Sequence, residues 1–228
     1  MGNQGRHESL RLVEEPGPPR VALTQARIVR AAAELIEREG LVAVSMRRVA
    51  TDLGVAPMSL YNHVPNKAAL LDGVAEYLIA QLAYEDDPAG DWRDRGLTLA
   101  RAFRALAQEH PRGMAVAMAR QINSPAGLRL MEHALRIAGD AGFSGRQAVQ
   151  VVRLLVAYII GSLSREGGHA LMLTYADDPA GVLERVDPVD YPHVREHARL
   201  LVAHDFEEDF EFGLQVVFTA IAGLPREP

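Results

Sequence analysis

The fold of this chain is decided by residues 54–67, which read Gly54-Val55-Ala56-Pro57-Met58-Ser59-Leu60-Tyr61-Asn62-His63-Val64-Pro65-Asn66-Lys67. Gly54 tolerates the positive φ that ends a helix, and Pro57 suits the first turn of the next one because it has no N–H to leave unpaired. Pro65 disfavours the α conformation at Val64. The stretch therefore predicts a helix, a tight turn and a second helix of about two turns over 57–64.

The second helix is too short to support a core, so its role must be inferred from its side chains. Leu60 and Val64 stand four residues apart and form one anchoring face. The other face is polar and aromatic, and it consists of Met58, Ser59, Tyr61, Asn62 and His63. Such a tip suits insertion into a DNA major groove about 12 Å wide. We predict that it reads DNA.

The residues on either side of this stretch complete a small head. Thr24 and Ser45 are good N-caps, and Gly40 closes the helix that Thr24 begins. Asn66 caps a fourth helix, predicted to run to Leu82. Lys67 in its first turn is unfavourable for the helix dipole unless an anion such as a DNA phosphate lies nearby. This fourth helix is the natural mechanical link between the head and the rest of the chain.

The formal net charge of −6 argues against a nonspecific nucleic-acid coat, but the charge is unevenly distributed. Seven basic and four acidic residues lie from Arg20 to Lys67, whereas residues 68–228 hold 15 basic and 23 acidic residues. A mildly basic head on an acidic body is consistent with DNA binding by one end of the molecule.

Composition narrows the class of protein further. With 228 residues, of which 48% are hydrophobic, the chain can bury a sizeable core. It has no cysteine, which excludes disulfides and thiolate metal sites. The longest apolar run, Leu154 to Ile160, is far shorter than the roughly 20 residues that span a bilayer, and no signal peptide is visible. We expect a cytoplasmic protein without a membrane partner.

The periodicity is helical throughout, so we expect an all-α fold with a three-helix head on a helical-bundle body. We expect a disordered arm over 1–20, the helix-turn-helix DNA-binding domain over 21–70, and a ligand-binding and dimerisation domain over 71–228. In the body the pattern predicts a mobile loop over 174–192 and helices over 92–109, 114–122, 126–140, 145–165, 194–203 and 206–224.

The motif Leu60-Tyr61-Asn62-His63-Val64-Pro65-Asn66-Lys67, followed by Ala68-Ala69-Leu70-Leu71-Asp72, resembles the tetracycline-repressor (TetR) family of transcriptional regulators. The body also resembles the tetracycline-repressor branch, at Trp92, Phe103–His110, Gly142-Phe143-Ser144, Gly161 and Phe210–Gly213. The resemblance covers about residues 24–224.

This resemblance implies a set of DNA contacts. Arg47, Ser59, Asn62 and His63 would face the bases, Tyr61 and Lys67 would contact phosphates, and Pro57 and Met58 complete the DNA-facing surface. Arginine suits guanine and asparagine suits adenine. Taken singly, His63 suits a turn cap and Tyr61 a core position, but the joint pattern favours DNA.

The resemblance also implies a homodimer through helix eight (about 145–165) and the last helix (about 206–224). Helix eight is apolar nearly all round over Val149–Leu163, so it needs more cover than one small domain offers. The alternative is burial inside the monomer.

Departures from the tetracycline-repressor pattern concern the effector. Where those repressors place a metal-binding histidine, polar amides and a supporting acid, this chain has Ala117, Leu99, Ala134 and Arg165, and only Phe103 is kept. We expect a small, largely apolar effector and no bound metal or cofactor. The candidate ligand-binding residues are Leu99, Phe103, Leu106, Met114, Ala117, Met118, Met131, Ala134, Leu135, Tyr158 and Arg165. The methionines among them suit core filling equally well.

The predicted function is a dimeric repressor that binds a palindromic double-stranded DNA operator and is released by its effector. An activator or a ligand-independent regulator of the same fold remains an alternative, as does a protein-interaction module. An enzyme is disfavoured because no nucleophile and base stand at catalytic spacing, so no catalytic residue is predicted. His193, His197 and His204 have a spacing that permits a metal, but exposed helical histidines explain it better.

Overall fold

The structure, a computed structural model, describes residues 22–120, 124–166, 178–203 and 205–226. Within these residues the chain forms twelve α-helices and no β-strand, which confirms the all-α prediction. The helices are α1 Gln25–Glu39, α2 Met46–Asp52, α3 Pro57–Tyr61, α4 Lys67–Ile79, α5 Trp92–Glu109, α6 Gly113–Arg120, α7 Pro125–Asp140, α8 Gly145–Glu166, α9 Pro179–Glu184, α10 Pro192–Glu196, α11 Ala198–Val202 and α12 Phe206–Ala222. The predicted arm, 1–20, lies outside the described residues.

The head consists of α1, α2 and α3, and side-chain caps begin its first two helices. Thr24 Oγ1 accepts a hydrogen bond from Arg27 N at 3.2 Å, and Ser45 Oγ accepts one from Arg48 N at 3.1 Å. Gly54 adopts a φ of 67°, which lets the chain turn from α2 towards α3. The core beneath them is fully buried and includes Ile28, Leu35, Ile36, Val49 and Leu60.

The helix α3 is shorter than the 57–64 that the sequence predicts. It ends at Tyr61, and His63 N then donates to Leu60 O at 2.9 Å, an i→i−3 bond that tightens the last turn. Val64 nevertheless stays buried in the core beneath the head, and its N–H still donates to Leu60 O at 2.8 Å.

The fourth helix, α4, joins the head to the body. Asn66 Oδ1 caps it by accepting a bond from Ala69 N at 2.9 Å. Its buried side chains Leu70, Val74 and Leu78 belong to the same core as the head, and the helix packs against both α1 and α6. It ends at Ile79 rather than at the predicted Leu82, because tight turns replace the α-helical bonding from Gln81 onwards.

The body is a bundle formed mainly by α5, α7, α8 and α12. Trp92 of α5 stacks on Phe218 of α12, with the ring centroids 6.0 Å apart. Gly96 permits this close approach, since a Cβ there would lie 2.6 Å from Phe218 Cε1. The distance between the two helices is therefore set by the Phe218 ring packing directly against the backbone at Gly96.

The segment before α12 differs from its prediction in two ways. The predicted mobile loop over 174–192 contains the helix α9, begun by Asp178, whose Oδ1 accepts from Gly181 N at 2.9 Å. The single helix predicted over 194–203 is two short helices, α10 and α11, separated at His197, whose ψ of 12° departs from the helical value. Residues 167–177 and His204 lie outside the described residues.

Candidate functional site

The outward face of α3 is a small exposed tip on a buried base. Leu60 and Val64 are 0% and 1% exposed, so they fasten the helix to the head as predicted from their spacing. Met58 is 73% exposed and Tyr61 46% exposed. Ser59 is half-buried, and the remaining predicted DNA-facing residues are all exposed: Arg47, Pro57, Asn62, His63 and Lys67. The predicted set lies on α2, on α3 and the turn after it, and at the first residue of α4.

The two neighbouring arginines of α2 have different surroundings. The Arg48 guanidinium donates to Asp52 Oδ1 at 3.1 Å and to Glu39 Oε1 at 2.7 Å. A hydrogen bond from Arg38 lowers the pKa of Asp52 below its ordinary value, which keeps this acidic partner ionised. The Arg47 side chain makes no hydrogen bond or ion pair within the described part of the chain. Arg47 is therefore available to a ligand, whereas Arg48 is already paired.

A cavity of ≈ 120 Å³ lies in the body between α5, α7, α8 and α12, with one side chain contributed by α6. Five predicted ligand-binding residues line it: Leu99, Phe103, Met118, Met131 and Ala134. Its lining has no charged side chain, and the indole N–H of Trp92 is the one N–H donor that those side chains offer. The cavity can therefore bind a ligand almost entirely through apolar contact.

The other predicted ligand-binding residues lie outside this lining. Leu106, Met114 and Ala117 are buried in the core, and Leu135 is half-buried. Tyr158 donates its hydroxyl to Phe210 O at 2.6 Å and stacks on the Phe210 ring. Arg165 pairs with Asp209 at 3.2 Å. These last two contacts fasten α8 to α12.

Sequence reasoning missed much of the lining, including Trp92, Ile137, Val151, Leu155 and Phe218. The signal was present, because α8 is apolar on more than one face, but the prediction assigned that apolar character mainly to a dimer interface and placed only Tyr158 and Arg165 of α8 at the ligand site. One face of α8 in fact lines the cavity, while Leu154 on another is 47% exposed.

A buried ionic cluster centred on Asp86 and Arg95 joins the α4–α5 connection to the bundle. These side chains are 3% and 5% exposed, and Arg95 Nε donates to Asp86 Oδ1 at 2.9 Å. Arg95 Nη1 also donates to Asp140 at 2.6 Å, while Tyr84 donates its hydroxyl to Asp86 at 2.7 Å. The hydrogen bond from Arg95 holds the pKa of Asp86 well below its usual range, and burial raises the pKa of Tyr84 to about 12.

Two carboxylates of α4 reach the body helices that flank the cavity. Asp72 Oδ1 accepts from Arg120 of α6 at 2.5 Å. Glu76 Oε2 accepts from Ala126 N, in the first turn of α7, at 2.7 Å. Helix α4 is thus bonded both to α6, which carries Met118 of the lining, and to α7, which carries Met131. Helix α4 therefore connects two of the helices that line the cavity to the head.

Two family models match the chain and together cover most of it. The family described as bacterial regulatory proteins, tetR family, matches residues 28–74. The tetracyclin repressor-like C-terminal domain matches residues 85–225.

Individual relatives agree with these models. The chain is 30% identical over 219 residues to the HTH-type transcriptional repressor DrrR1 of Streptomyces coeruleorubidus, covering 90% of this chain and 80% of that protein. The solved structure of Streptomyces coelicolor ActR in complex with actinorhodin is similar at 26% identity and a TM-score of 0.78, covering 90% of this chain and all of ActR. BioQ, known from Mycobacterium smegmatis, is similar at 25% identity in its complex with a double-stranded DNA operator, with a TM-score of 0.64 over 89% of this chain and 100% of BioQ.

The head and the cavity define a helix-turn-helix DNA-binding transcriptional regulator with a ligand-binding body. The chain belongs to the TetR family, as the resemblance of residues 60–72 predicted.

Proposed function

We propose that this protein is a cytoplasmic, dimeric repressor that binds a palindromic operator and leaves it when a small, largely apolar effector enters the body. The observation that carries this proposal is the exposed tip of α3 on its buried anchor, Leu60 and Val64. A head over 21–70 would read the DNA, and a body over 71–228 would bind the effector and the second subunit.

Within the head, each exposed side chain suits a particular DNA contact. Arg47 would donate to guanine and Asn62 would pair with adenine, while Tyr61 and Lys67 would contact phosphates. Lys67 lies in the first turn of α4, where the helix dipole disfavours a cation, and a phosphate placed there would compensate. Pro57, Met58, Ser59 and His63 complete the contact surface.

The proposed dimer interface rests on apolar side chains that one subunit leaves uncovered. Phe212 and Val216 of α12 are 72% and 51% exposed, and Leu154 of α8 is 47% exposed. These two helices pack on each other, so their outer faces can form one continuous patch, and such patches mark interfaces. A two-fold dimer would place two copies of α3 about 34–36 Å apart, one turn of DNA.

A membrane is a poorer explanation for the apolar character of α8. Among the described residues, α8 is the one helix long and apolar enough to cross a bilayer by length and composition. Core helices of other proteins pass the same test, and α8 contributes Val151 and Ile159 to the buried core of this chain. A cavity wall on one side and a second subunit on the other would cover it without a membrane.

The composition of the cavity supports an apolar effector rather than a magnesium–tetracycline complex. Its lining offers no carboxylate, imidazole or amide to hold a metal or a ring of hydroxyls. Pockets for drug-sized ligands usually measure about 300–1,000 Å³, so side chains around this cavity of ≈ 120 Å³ must move to admit one. Met118 and Met131 are suited to that movement because methionine is flexible and unbranched.

Selection of bound fragments from genomic DNA with purified protein tests the DNA-binding part of the proposal. We expect an enriched palindrome that is lost when Tyr61 or Lys67 is changed to Ala, while a change of the exposed Arg185 of the body to Ala leaves selection intact. An absence of any enriched sequence would contradict a DNA-reading head and favour a protein-interaction module.

The same selected DNA separates the alternatives within the fold. A reporter gene placed behind it is expected to be silenced by the protein; stimulation would indicate an activator instead. Turnover of a compound by a variant lacking both Arg47 and Tyr61 would be needed to revive an enzyme that uses the cavity.

A further inference from the structure

The C-terminal end of α1 and the N-terminal end of α6 hold each other through a reciprocal set of hydrogen bonds. Glu37 Oε1 accepts from Gly113 N at 2.7 Å, and Glu37 Oε2 accepts from Arg112 N at 3.2 Å. In return, Arg112 Nη1 donates to Glu37 O at 3.1 Å and to Arg38 O at 2.7 Å. We call this set of contacts the α1–α6 clasp.

Each half of the clasp satisfies groups that a helix end leaves unpaired. The last carbonyls of α1 and the first N–H groups of α6 have no partners within their own helices. The Arg112 cation faces the negative end of one helix dipole, and the Glu37 anion faces the positive end of the other. Both charges therefore lie where the dipoles favour them.

The fit around Gly113 is close enough to need a glycine. A Cβ at this position would lie 2.6 Å from Glu37 Oε1 and 2.7 Å from Leu78 Cδ1. Gly113 is buried at the point where α1, α4 and α6 meet. A methyl group there must expel the Glu37 carboxylate or shift α4.

The opposite end of α6 is also bonded to the DNA-binding side of the molecule. Arg120, its last residue, pairs with Asp72 of α4 at 2.5 Å and donates to Ala68 O at 3.3 Å. Between the two ends, Met118 reaches the lining of the cavity. The helix α6 is thus attached to α1 of the head at its first end and to α4 at its last end, and it touches the cavity in between.

We propose that Glu37 is a positioning residue for operator binding: through the clasp it sets the angle of the head on the body, in addition to the packing of α1 on α4. With α4 alone, the head could rock about the axis of that helix. A second attachment at the far end of α1 removes this freedom. The inference rests on the proposed function, since the angle matters only if two heads must meet two half-sites at one spacing.

Loss of the clasp is therefore expected to change spacing selectivity as well as affinity. A head that rocks loses affinity for the best-spaced operator, by about three- to tenfold. The same freedom lets it reach half-sites at other spacings. Loss of a residue that only stabilises the fold, or that contacts DNA, would instead weaken binding by the same factor at every spacing.

The experiment uses the full chain and a duplex that the wild-type protein selects from a random library. Affinity is measured for this duplex and for two versions whose centre is one base pair longer or shorter. The variants are E37Q and R112A, which break the clasp from either side, and G113A, which displaces Glu37 without touching a charge. The matched control is E34Q, because Glu34 lies on the same helix but forms only an exposed pair with Arg30.

We expect the wild-type protein and E34Q to prefer the selected spacing, and E37Q, R112A and G113A each to reduce that preference by about threefold or more. If G113A fails to fold, E37Q and R112A still test the role of the clasp, because neither change adds bulk to the core. Uniform weakening on all three duplexes, or no change in E37Q, would overturn the inference alone. Failure of the wild-type protein to select any duplex would overturn the proposed function and this inference with it.

Discussion

At the scale of single residues, neighbouring side chains of one type have different partners. Arg47 and Arg48 are adjacent on α2, yet Arg48 is held by Glu39 and Asp52 while the Arg47 side chain is exposed. The i,i+4 spacing of Arg48 and Asp52 carried part of this difference, but the pairing of Arg48 with Glu39 of α1 depends on how the two helices pack and could not be predicted from spacing. A guanidinium whose hydrogen bonds are already made has less to offer a base.

The first prediction contrasts these two arginines on the selected operator. We expect R47A to relax discrimination at one base pair by about 1–3 kcal/mol, since a bidentate contact to guanine contributes that much. The matched change R48A is expected to keep the pattern of base preference. Competition binding with every single-base variant of the operator measures both, and a larger loss of preference in R48A would contradict the assignment.

The second prediction concerns the buried pair Asp86 and Arg95. We expect D86N to destabilise the protein by about 3–5 kcal/mol, because it removes the charge that two nitrogens of the buried Arg95 bond and leaves that guanidinium with the exposed Asp140 as its anionic partner. Denaturant unfolding at fixed protein concentration measures this loss. The exposed Asp190 supplies the control, D190N, for which a change of less than about 0.5 kcal/mol is expected.

The same pair gives stability a defined pH dependence. The pKa of Asp86 is depressed in the folded protein, so its contribution is fully present above the unfolded pKa of about 3.9. It is lost as the pH falls from there through the lower folded value. The difference in stability between wild type and D86N should therefore be constant above about pH 5 and shrink below about pH 4. A difference that shrinks on raising the pH would contradict this.

At the scale of helices, the first residue of a helix could be predicted from the sequence more accurately than its last residue or a break in its interior. Thr24, Ser45 and Asn66 begin their helices as predicted, because a capping side chain acts within three residues of its own position. The ends of α3 and α4 were placed too late, since the change to tighter turns depends on tertiary packing. The break at His197 carried no signal from proline or glycine.

The cavity shows a second limit of sequence reasoning at this scale. Periodicity shows that α8 is apolar on several faces, but it cannot tell a cavity wall from a subunit interface. Phe103 and Met118 were placed by resemblance and by chemistry, whereas Leu155 and Phe218 needed the packing of α8 and α12 to be known. The exposed face of α3 was easier to predict than the cavity, because its buried anchors, Leu60 and Val64, and its exposed residues all lie within the eight positions 57–64.

The third prediction concerns the cavity formed by these helices. We expect magnesium-tetracycline neither to bind tightly nor to release the protein from DNA, because the lining lacks metal ligands and hydrogen-bonding groups. Titration followed by tetracycline fluorescence measures binding, with a tetracycline repressor as the positive control. Tight, magnesium-dependent binding would contradict an apolar effector.

At the scale of the whole molecule, the uncovered faces of α8 and α12 predict how two subunits meet. Phe212 is the most exposed large apolar side chain of α12, and Leu154 is the most exposed large apolar side chain of α8. In a monomer, both would remain in water. In the proposed dimer they become buried together.

The fourth prediction tests this arrangement directly. We expect F212E and L154E each to raise the dissociation constant of the dimer by about a hundredfold or more, because an unpaired charge is costly to bury. Leu128 on α7 is 53% exposed but lies on neither helix, so L128E is expected to leave the dimer intact. Sedimentation measures all three, and a dimer that persists in F212E and L154E would place the interface elsewhere.

The stacking of Trp92 on Phe218 has an optical consequence. The chain has one tryptophan, and that indole forms part of the cavity wall. Its emission therefore comes from a single place in the protein, beside the site that an effector would fill. The protein thus carries an intrinsic fluorescent reporter, and a library of compounds can be screened for effectors by quenching or a wavelength shift without attaching a label.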